Sequence, residues 1–166
     1  MHLLLAQKGS ISDSDEAFDL GQTPGDIVFL SAADTEIAGV AAAANSGALS
    51  WRVVNLASLK HPMSIDLWID KTARHAKLVA FRGLGGISYF PYLIEALLGA
   101  AQAHGFQLAV LPGCERPDPA LEPWSTVAAE DRAALWSYLV EGGSGNLGRF
   151  ARYAEALVSG AEKPEP

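Results

Sequence analysis

One arginine and three glycines stand together in residues 82–86, Arg-Gly-Leu-Gly-Gly. An apolar run precedes them at 78–81, and apolar residues at helical spacing follow from Ser88, a pattern that predicts a strand, a tight turn and a helix. The fork of Arg82, beside turn N–H groups and a helix N-terminus, suits a planar carboxylate or a phosphate. In an open parallel sheet such a turn lies at the carboxyl edge, where ligands commonly bind.

Two interpretations of this turn stay open. Its glycine pattern is one residue short of a dinucleotide-binding fingerprint and follows the fourth apolar run, not the first, so we expect no nicotinamide cofactor. The glycines either let the next helix approach the sheet closely or let a ligand approach the backbone. Under the second interpretation Arg82, Gly85, Gly86 and the neighbouring Tyr89 are candidate substrate contacts.

Further polar residues follow other predicted strands, and a parallel sheet would bring them to the same edge. Lys8 follows the first apolar run and His61 the third. Both are candidate substrate contacts, with a solvated loop position as the alternative. Ser31 and Asp34, after the second run, are better explained as the capping pattern of a helix over 34–45.

The sequence carries no recognisable catalytic or metal-binding motif. Its four histidines show no i,i+4 pair and no His-Glu-x-x-His, and there is no Cys-x-x-Cys. Cys114 is the single cysteine, which excludes an internal disulfide, and no nucleophile motif surrounds it. We therefore expect no catalytic residue, no metal ligand and no cofactor bound to these 166 residues.

Composition and charge bound the class of protein. The length of 166 residues fits one domain, and 49% hydrophobic with 19% charged residues is typical of a folded domain. A net charge of −7 disfavours nucleic acid or an anionic membrane as a partner. The apolar run at the N-terminus is too short for a signal-peptide core or a membrane span. We expect a cytoplasmic protein.

Five short apolar runs alternate with stretches of helical periodicity, at residues 2–6, 26–30, 51–56, 78–81 and 107–111. Continuous apolarity is typical of strands that are covered on both faces. Two of the intervening helices are expected to begin at Ser64 and near Ser88, with Pro91 in the first turn of the latter. The pattern predicts an α/β fold with an open, mainly parallel five-stranded sheet and helices on both faces, similar to flavodoxin.

After the fifth run the alternation stops. A helix is predicted from Thr126 to about Glu141, and another from Ser144, so that a helical hairpin closes the domain. We expect one α/β domain over residues 1–159. The tail 160–166 is polar and rich in proline, a composition typical of a linker.

A family resemblance is carried by eight segments in collinear order. Three of them are Met-His-Leu-Leu-Leu-Ala-Gln-Lys-Gly at 1–9, Ser-Leu-Lys-His-Pro-Met-Ser-Ile-Asp at 58–66 and Arg-Gly-Leu-Gly-Gly-Ile-Ser-Tyr-Phe at 82–90. The others lie at 29–36, 73–78, 111–113, 117–123 and 135–144. In this series the chain resembles the amino-terminal end of the large subunit of aerobic cobaltochelatase, the CobN family, which is related to the magnesium-chelatase large subunit.

The resemblance implies ATP-dependent insertion of cobalt into hydrogenobyrinic acid a,c-diamide during cobalamin synthesis. It implies that cobalt is the substrate metal, that the large subunit holds the corrinoid, and that ATP and magnesium belong to partner subunits, an AAA-type ATPase and a second small subunit. The family protein is several times longer than this chain. We therefore expect this part, not itself catalytic, to serve substrate cradling or subunit docking, with Arg82 and the turn before Tyr89 as the motif that carries over.

A different class of protein remains as the alternative. The same strand, glycine turn and helix suit a free-standing flavodoxin-like module that binds a small phosphorylated ligand at Arg82 and the turn N–H groups. In that case the candidate contacts would serve a phosphate and not a corrinoid.

Overall fold

The computed structural model describes residues 4–6, 16–45 and 47–165 of the chain. Its strands are β1 (Leu4–Ala6), β2 (Ile27–Ser31), β3 (Trp51–Asn55), β4 (Leu78–Gly83) and β5 (Gln107–Pro112). They pair in parallel in the order β1-β3-β2-β4-β5. The predicted α/β class with a parallel sheet is confirmed. The order differs from the 2-1-3-4-5 of flavodoxin, because β1 pairs with the outer edge of β3.

Six helices surround the sheet within the described residues. They are α1 (Asp34–Ala44), α2 (Pro62–Lys71), α3 (Gly86–Tyr89), α4 (Pro91–His104), α5 (Ala129–Glu141) and α6 (Gly143–Ser159), with 3-10 turns at Leu56–Ser58, Ala73–His75 and Pro119–Trp124. One core layer packs α2 and α4 on the sheet, and the other packs α1, α5 and α6 on the opposite face. None of these helices is long and apolar enough to cross a membrane.

The alternation of side chains along the inner strands supplies both core layers. In β2, Val28 and Leu30 enter the layer under α2 and α4, while Ile27 and Phe29 enter the layer under α1 and α6. All four are fully buried. Burial of each such side chain stabilises the fold by roughly 2 kcal/mol through the hydrophobic effect. Because these strands are buried on both faces, every position gains from an apolar side chain, and the strands are continuously apolar.

Three predicted helix starts are wrong, and for two of them a hydrogen bond to a distant part of the chain gives the reason. The helix α2 begins at Pro62, with His61 as its N-cap, whereas Ser64 is buried inside the helix and accepts a hydrogen bond from Phe18 N at 2.9 Å. The helix α5 begins at Ala129 and not at Thr126, because Thr126 Oγ1 accepts from Leu108 N at 2.8 Å beside β5.

The third error concerns the segment after β4. Pro91 is in the first turn of α4, as predicted, but the helix does not begin near Ser88. Phe90, with φ −127° and ψ 45°, is not helical and separates α4 from the single turn α3. Pro91 favours this break, since the residue before a proline is driven out of the helical region.

The capping pattern predicted for α1 is also absent. Ala33 occupies the N-cap position and makes no side-chain capping bond. Ser31 lies two residues before this N-cap, and its hydroxyl accepts from Ala33 N at 3.1 Å, while Asp34 Oδ1 accepts from Asn55 Nδ2 at 2.8 Å. These polar groups therefore organise the loops after β2 and β3.

The helical hairpin is present, and the described part of the tail lies against it. The Tyr138 hydroxyl on α5 donates to the carbonyl oxygens of Pro164, at 3.2 Å, and Glu165, at 3.0 Å. Lys163 Nζ donates to Asp131 Oδ1 at 2.8 Å and lies 5.6 Å from the ring centre of Tyr153. The linker role of 160–166 stays a prediction.

Candidate functional site

The carboxyl edge of the sheet contains a crevice between β2 and β4. The chain leaves β2 towards α1 on one face and leaves β4 towards α3 and α4 on the other, and such a switch point commonly opens a ligand crevice in α/β sheets. Ser31 and Arg82 are register partners at this edge. With Glu36, Leu84 and Gly113 they line a cleft of about 230 Å³.

Arg82 is held by three elements of the fold. Its Nη1 donates to a carboxylate oxygen of Glu36 in α1 and, at 3.3 Å, to the Leu139 carbonyl in α5. Its Nε donates to the Pro112 carbonyl at the end of β5, at 3.0 Å. The Arg82 side chain is only 11% exposed and that of Glu36 14%. These contacts make Arg82 a structural tie between β4, β5, α1 and α5.

The charges in this cleft balance. The second carboxylate oxygen of Glu36 accepts from the Ser31 hydroxyl at 2.9 Å, so both oxygens of the anion have donors. No described residue accepts a hydrogen bond from Nη2 of Arg82, and this nitrogen keeps contact with solvent, because no described side-chain nitrogen or oxygen is both buried and unsatisfied. An anion at Nη2 would therefore meet a cation that Glu36 already neutralises.

The glycines of the turn have packing reasons. Gly85 has φ +83°, and a Cβ placed on it would lie 1.7 Å from Cδ2 of Tyr89, so the tyrosine ring lies directly over this residue. Gly86 has φ +52° and would bring a Cβ to 3.1 Å from Leu121 Cδ2. Left-handed backbone and close packing account for both residues, which supports the first of the two interpretations of the turn.

A second cleft opens on the other side of this turn. It has a volume of about 400 Å³ and lies between the start of α2 and the α3–α4 junction. Lys60, Tyr89, Phe90 and Tyr92 contribute to its walls. We call it the aromatic groove. Phe90 is anchored from below by an edge-to-face contact with Phe81, with ring centres 5.5 Å apart.

The two tyrosines of the aromatic groove differ in how they are held. The hydroxyl of Tyr92 donates to both carboxylate oxygens of Asp66, at 2.8 and 2.9 Å, and this hydrogen bond raises the pKa of Tyr92 above its ordinary value. Tyr89 is 76% exposed, and no hydrogen bond to its hydroxyl is present among the described residues. Its ring is therefore available to a partner.

Exposed apolar side chains are concentrated at this edge. The described chain exposes four large hydrophobic residues: Met63, Leu84, Tyr89 and Tyr92. All four follow β3 or β4, so they lie at the carboxyl end of the sheet. Apolar residues clustered at one end of a domain and rimmed by polar groups indicate an interaction surface.

The predicted site residues do not share one cleft in the structure. Tyr89 lines the aromatic groove, Arg82 lines the cleft on the other side of the turn, and Gly85 and Gly86 lie between them. The ring nitrogen Nδ1 of His61 accepts from Met63 N at 3.1 Å, which gives this residue a helix-capping role that its position did not reveal. Lys8 lies outside the described residues.

Three residues that shape the edge were not among the candidate contacts predicted from the sequence. Glu36 is the counter-ion of Arg82, and an arginine at a buried strand end requires such a partner. Lys60 and Tyr92 line the aromatic groove; Tyr92 follows Tyr89 by three residues, a spacing that was visible in the sequence. No group of three His, Cys, Asp or Glu side chains able to hold a metal ion occurs among the described residues.

Comparison with known proteins identifies the family, although no protein-family model matches the chain. It is 63% identical over 168 residues to the aerobic cobaltochelatase subunit CobN of Sinorhizobium sp., a match that covers 100% of this chain and 13% of the relative. This chain belongs to the CobN family. The CobN of Pseudomonas aeruginosa is 36% identical over 155 residues, which cover 92% of this chain and 12% of that protein.

The matched region is the amino-terminal part of CobN, and the chain spans about an eighth of the length of these relatives. A solved structure titled catalytic subunit of cobaltochelatase from Mycobacterium tuberculosis has a TM-score of 0.67 at 22% identity. That match covers 84% of this chain and 11% of the solved one. At this level of identity it establishes a shared fold, which agrees with the architecture described for this CobN region.

Proposed function

We propose that this chain is the amino-terminal region of the large subunit of an ATP-dependent cobaltochelatase. The complete subunit would hold hydrogenobyrinic acid a,c-diamide while cobalt, the substrate metal, is inserted. Partner subunits, an AAA-type ATPase and a second small subunit, would bind ATP and magnesium. The observation that carries this proposal is the 63% identity to CobN over the whole chain.

Within that subunit we assign this region to substrate cradling, through the aromatic groove. A corrinoid is a broad, largely apolar ring with polar arms, and it needs apolar surface for the ring and cations for its carboxylates. The exposed ring of Tyr89 supplies the surface, and Lys60 supplies a cation at the wall of the same groove. The open groove forms one wall of a binding site, so the opposite wall would come from the remainder of the subunit.

Arg82, Gly85 and Gly86 would act mainly by placing Tyr89. The contacts of Arg82 fix the end of β4, and the two glycines allow the turn that follows to bring Tyr89 over Gly85. A direct contact of Arg82 with the corrinoid would use Nη2. Lys8 and His61 remain proposed contacts at the same edge, with His61 next to Lys60 in the chain.

Docking of another part of the complex is the second candidate role. The observation that favours it is the exposure of Met63, at 58%, and Leu84, at 65%, neither of which lines the aromatic groove. A patch wider than the groove suits a protein surface. A free-standing phosphate-binding module is less well supported, because Glu36 neutralises Arg82 and would repel a phosphate.

Steady-state cobalt insertion by the complete large subunit, reconstituted with its partners and ATP, tests the role of the region. Under cradling, Tyr89→Ala should raise KM for the corrinoid about tenfold, equivalent to about 1.4 kcal/mol, with kcat little changed. Tyr89→Phe, which keeps the ring, is the matched control and should behave as wild type. An unchanged KM with loss of complex assembly would instead establish docking, and no effect on either would exclude Tyr89 from both roles.

A further inference from the structure

A third cavity lies beyond β5, away from the aromatic groove. It has a volume of about 270 Å³, opens to solvent and is lined by the end of β5, the loop that follows, the turn Pro119–Trp124 and α5. Its walls are mostly apolar, with Val110, Pro117, Leu121, Ala133 and Trp136 among them. We call it the α5 cavity. A concave apolar site of this size with a few polar groups is typical of small-ligand pockets.

Arg132 is the cation of this cavity, and its surroundings are unusual. Its side chain is only 16% exposed, yet the nearest acidic partner, Glu122, lies 3.7 Å away between Nη2 and Oε1. That distance is too long for a hydrogen bond. No described residue accepts a hydrogen bond from the guanidinium.

The comparison with Arg82 makes the difference clear. Arg82 is buried to a similar degree and donates to three acceptors of the fold. Arg132 donates to none within the described chain, and none of its nitrogens is both buried and unsatisfied, so its N–H groups keep contact with solvent where Arg132 lines the cavity. A guanidinium that has no acceptor within the fold and keeps solvent contact can donate to a ligand without breaking an internal hydrogen bond.

Trp136 offers the α5 cavity an apolar surface in a fixed position. Its indole Nε1 donates to the Cys114 carbonyl at 3.1 Å, which orients the ring and occupies its one polar atom. The ring therefore contributes apolar contact to any occupant. A ligand must bring its polar group to Arg132 and its apolar body to Trp136 and Leu121.

We propose that the α5 cavity binds an organic monocarboxylate with an apolar body. The planar carboxylate matches the fork of Arg132 and would replace the distant contact with Glu122. Glu122 is 63% exposed, so its side chain can turn to solvent at little cost. Asp118 and Glu122 also belong to the lining, and two carboxylates in one cavity repel a dianion such as phosphate more strongly than a monoanion.

Calorimetric titration of the 166-residue chain with 3-phenylpropionate tests this site, which does not depend on the proposed chelatase role. The acid should bind at millimolar concentration or below, and the neutral isostere 3-phenylpropanamide should bind at least about tenfold more weakly. Arg132→Gln should weaken binding of the acid by about the same factor. Arg149→Gln is the matched control, since Arg149 is exposed on α6 and contacts Asn146 instead, and it should leave affinity unchanged.

A second variant and a second ligand keep the test decisive. Glu122→Gln removes the competing carboxylate and should tighten binding of the acid by about threefold, whether or not Arg132→Gln folds. If the corrinoid competes with 3-phenylpropionate for the cavity, the bound carboxylate is an arm of that larger molecule. If the corrinoid does not compete, the ligand is a free acid. No binding of 3-phenylpropionate at millimolar concentration, or equal binding of acid and amide, would overturn the proposal.

Discussion

Arg82 at the end of β4 donates to the carboxylate of Glu36 in the first turns of α1, so the candidate cation of the carboxyl edge is bound within the fold. The partners are separated by 46 residues in the chain and meet only because β2 and β4 are neighbours. This ion pair bears on the role of Arg82 at the glycine turn. Glu36 neutralises the cation beside the turn, and a substrate contact of Arg82 stays a prediction.

The first prediction concerns the stability that this ion pair provides. Arg82→Ala leaves the largely buried Glu36 carboxylate without its cation and should lower the free energy of unfolding by about 2 kcal/mol. Urea denaturation monitored by circular dichroism measures the change. The double variant Arg82→Ala with Glu36→Ala should lose less than the sum of the single losses, and strictly additive losses would show that the two side chains are not coupled.

A second prediction concerns the glycine under Tyr89. Gly85→Ala should destabilise the protein by about 1–2 kcal/mol, because φ +83° is strained for alanine and the new Cβ collides with the Tyr89 ring. Gly99→Ala is the matched control. Gly99 lies inside α4, and a Cβ placed on it would meet nothing within 4 Å, so alanine there should stabilise by about 0.5–1 kcal/mol. Equal effects of the two variants in thermal unfolding would contradict this account of the turn.

Low pH should reduce the stability of the folded protein, in part through protonation of Asp26. Its carboxylate accepts from Ser50 N and from the Ser50 hydroxyl, each at 3.0 Å, and the backbone hydrogen bond is the main cause that lowers the pKa of Asp26 below 3.8. A depressed pKa in the folded state stabilises the protein above the unfolded value of 3.8, and this contribution is lost as pH falls through the folded value.

The matching measurement compares wild type with Asp26→Asn by urea unfolding. The wild type should be the more stable at neutral pH, and the difference should shrink as pH falls below 3.8. Gln102→Ala, on the exposed face of α4, removes no titratable group, serves as the control and should show no such narrowing. A difference that stays constant from neutral to acid pH would rule out this role of Asp26.

The tail gives a further prediction. Removal of residues 161–166 deletes the bond between Lys163 and Asp131 and both acceptors of the Tyr138 hydroxyl. The truncated chain should be less stable by about 1–2 kcal/mol. Lys163→Met, which keeps the aliphatic stem, should show part of this loss. A tail that acts only as a free linker would leave the unfolding midpoint unchanged in both variants.

Much of the architecture was predictable because the burial of a strand determines which residue types it contains. The fully buried runs of β2 and β4 are continuously apolar, and Gly105, with φ +83°, ends α4 in the left-handed conformation that glycine favours. Helix starts were less predictable. A side chain such as Ser64 or Thr126 can serve a distant backbone group as well as a cap, and only the tertiary contact with Phe18 or Leu108 decides which.

The candidate site was predictable in place but not in detail. Glycines after β4 correctly marked the carboxyl edge, since tight turns at strand ends require them. The Glu36 partner of Arg82 was not predictable. It depends on the pairing of Ser31 with Arg82, and so on strand order, which local sequence does not encode. For the same reason the sequence did not separate Arg82 from Tyr89 into two clefts.

The most direct test of the proposed corrinoid contact is an absorbance titration of the complete large subunit with hydrogenobyrinic acid a,c-diamide, without cobalt, ATP or partner subunits. If the aromatic groove is a wall of the substrate site, Tyr89→Ala should raise Kd by about tenfold, and Tyr89→Phe should leave it unchanged. An equal Kd for wild type and Tyr89→Ala, with the variant folded as judged by circular dichroism, would contradict the cradling role of this region.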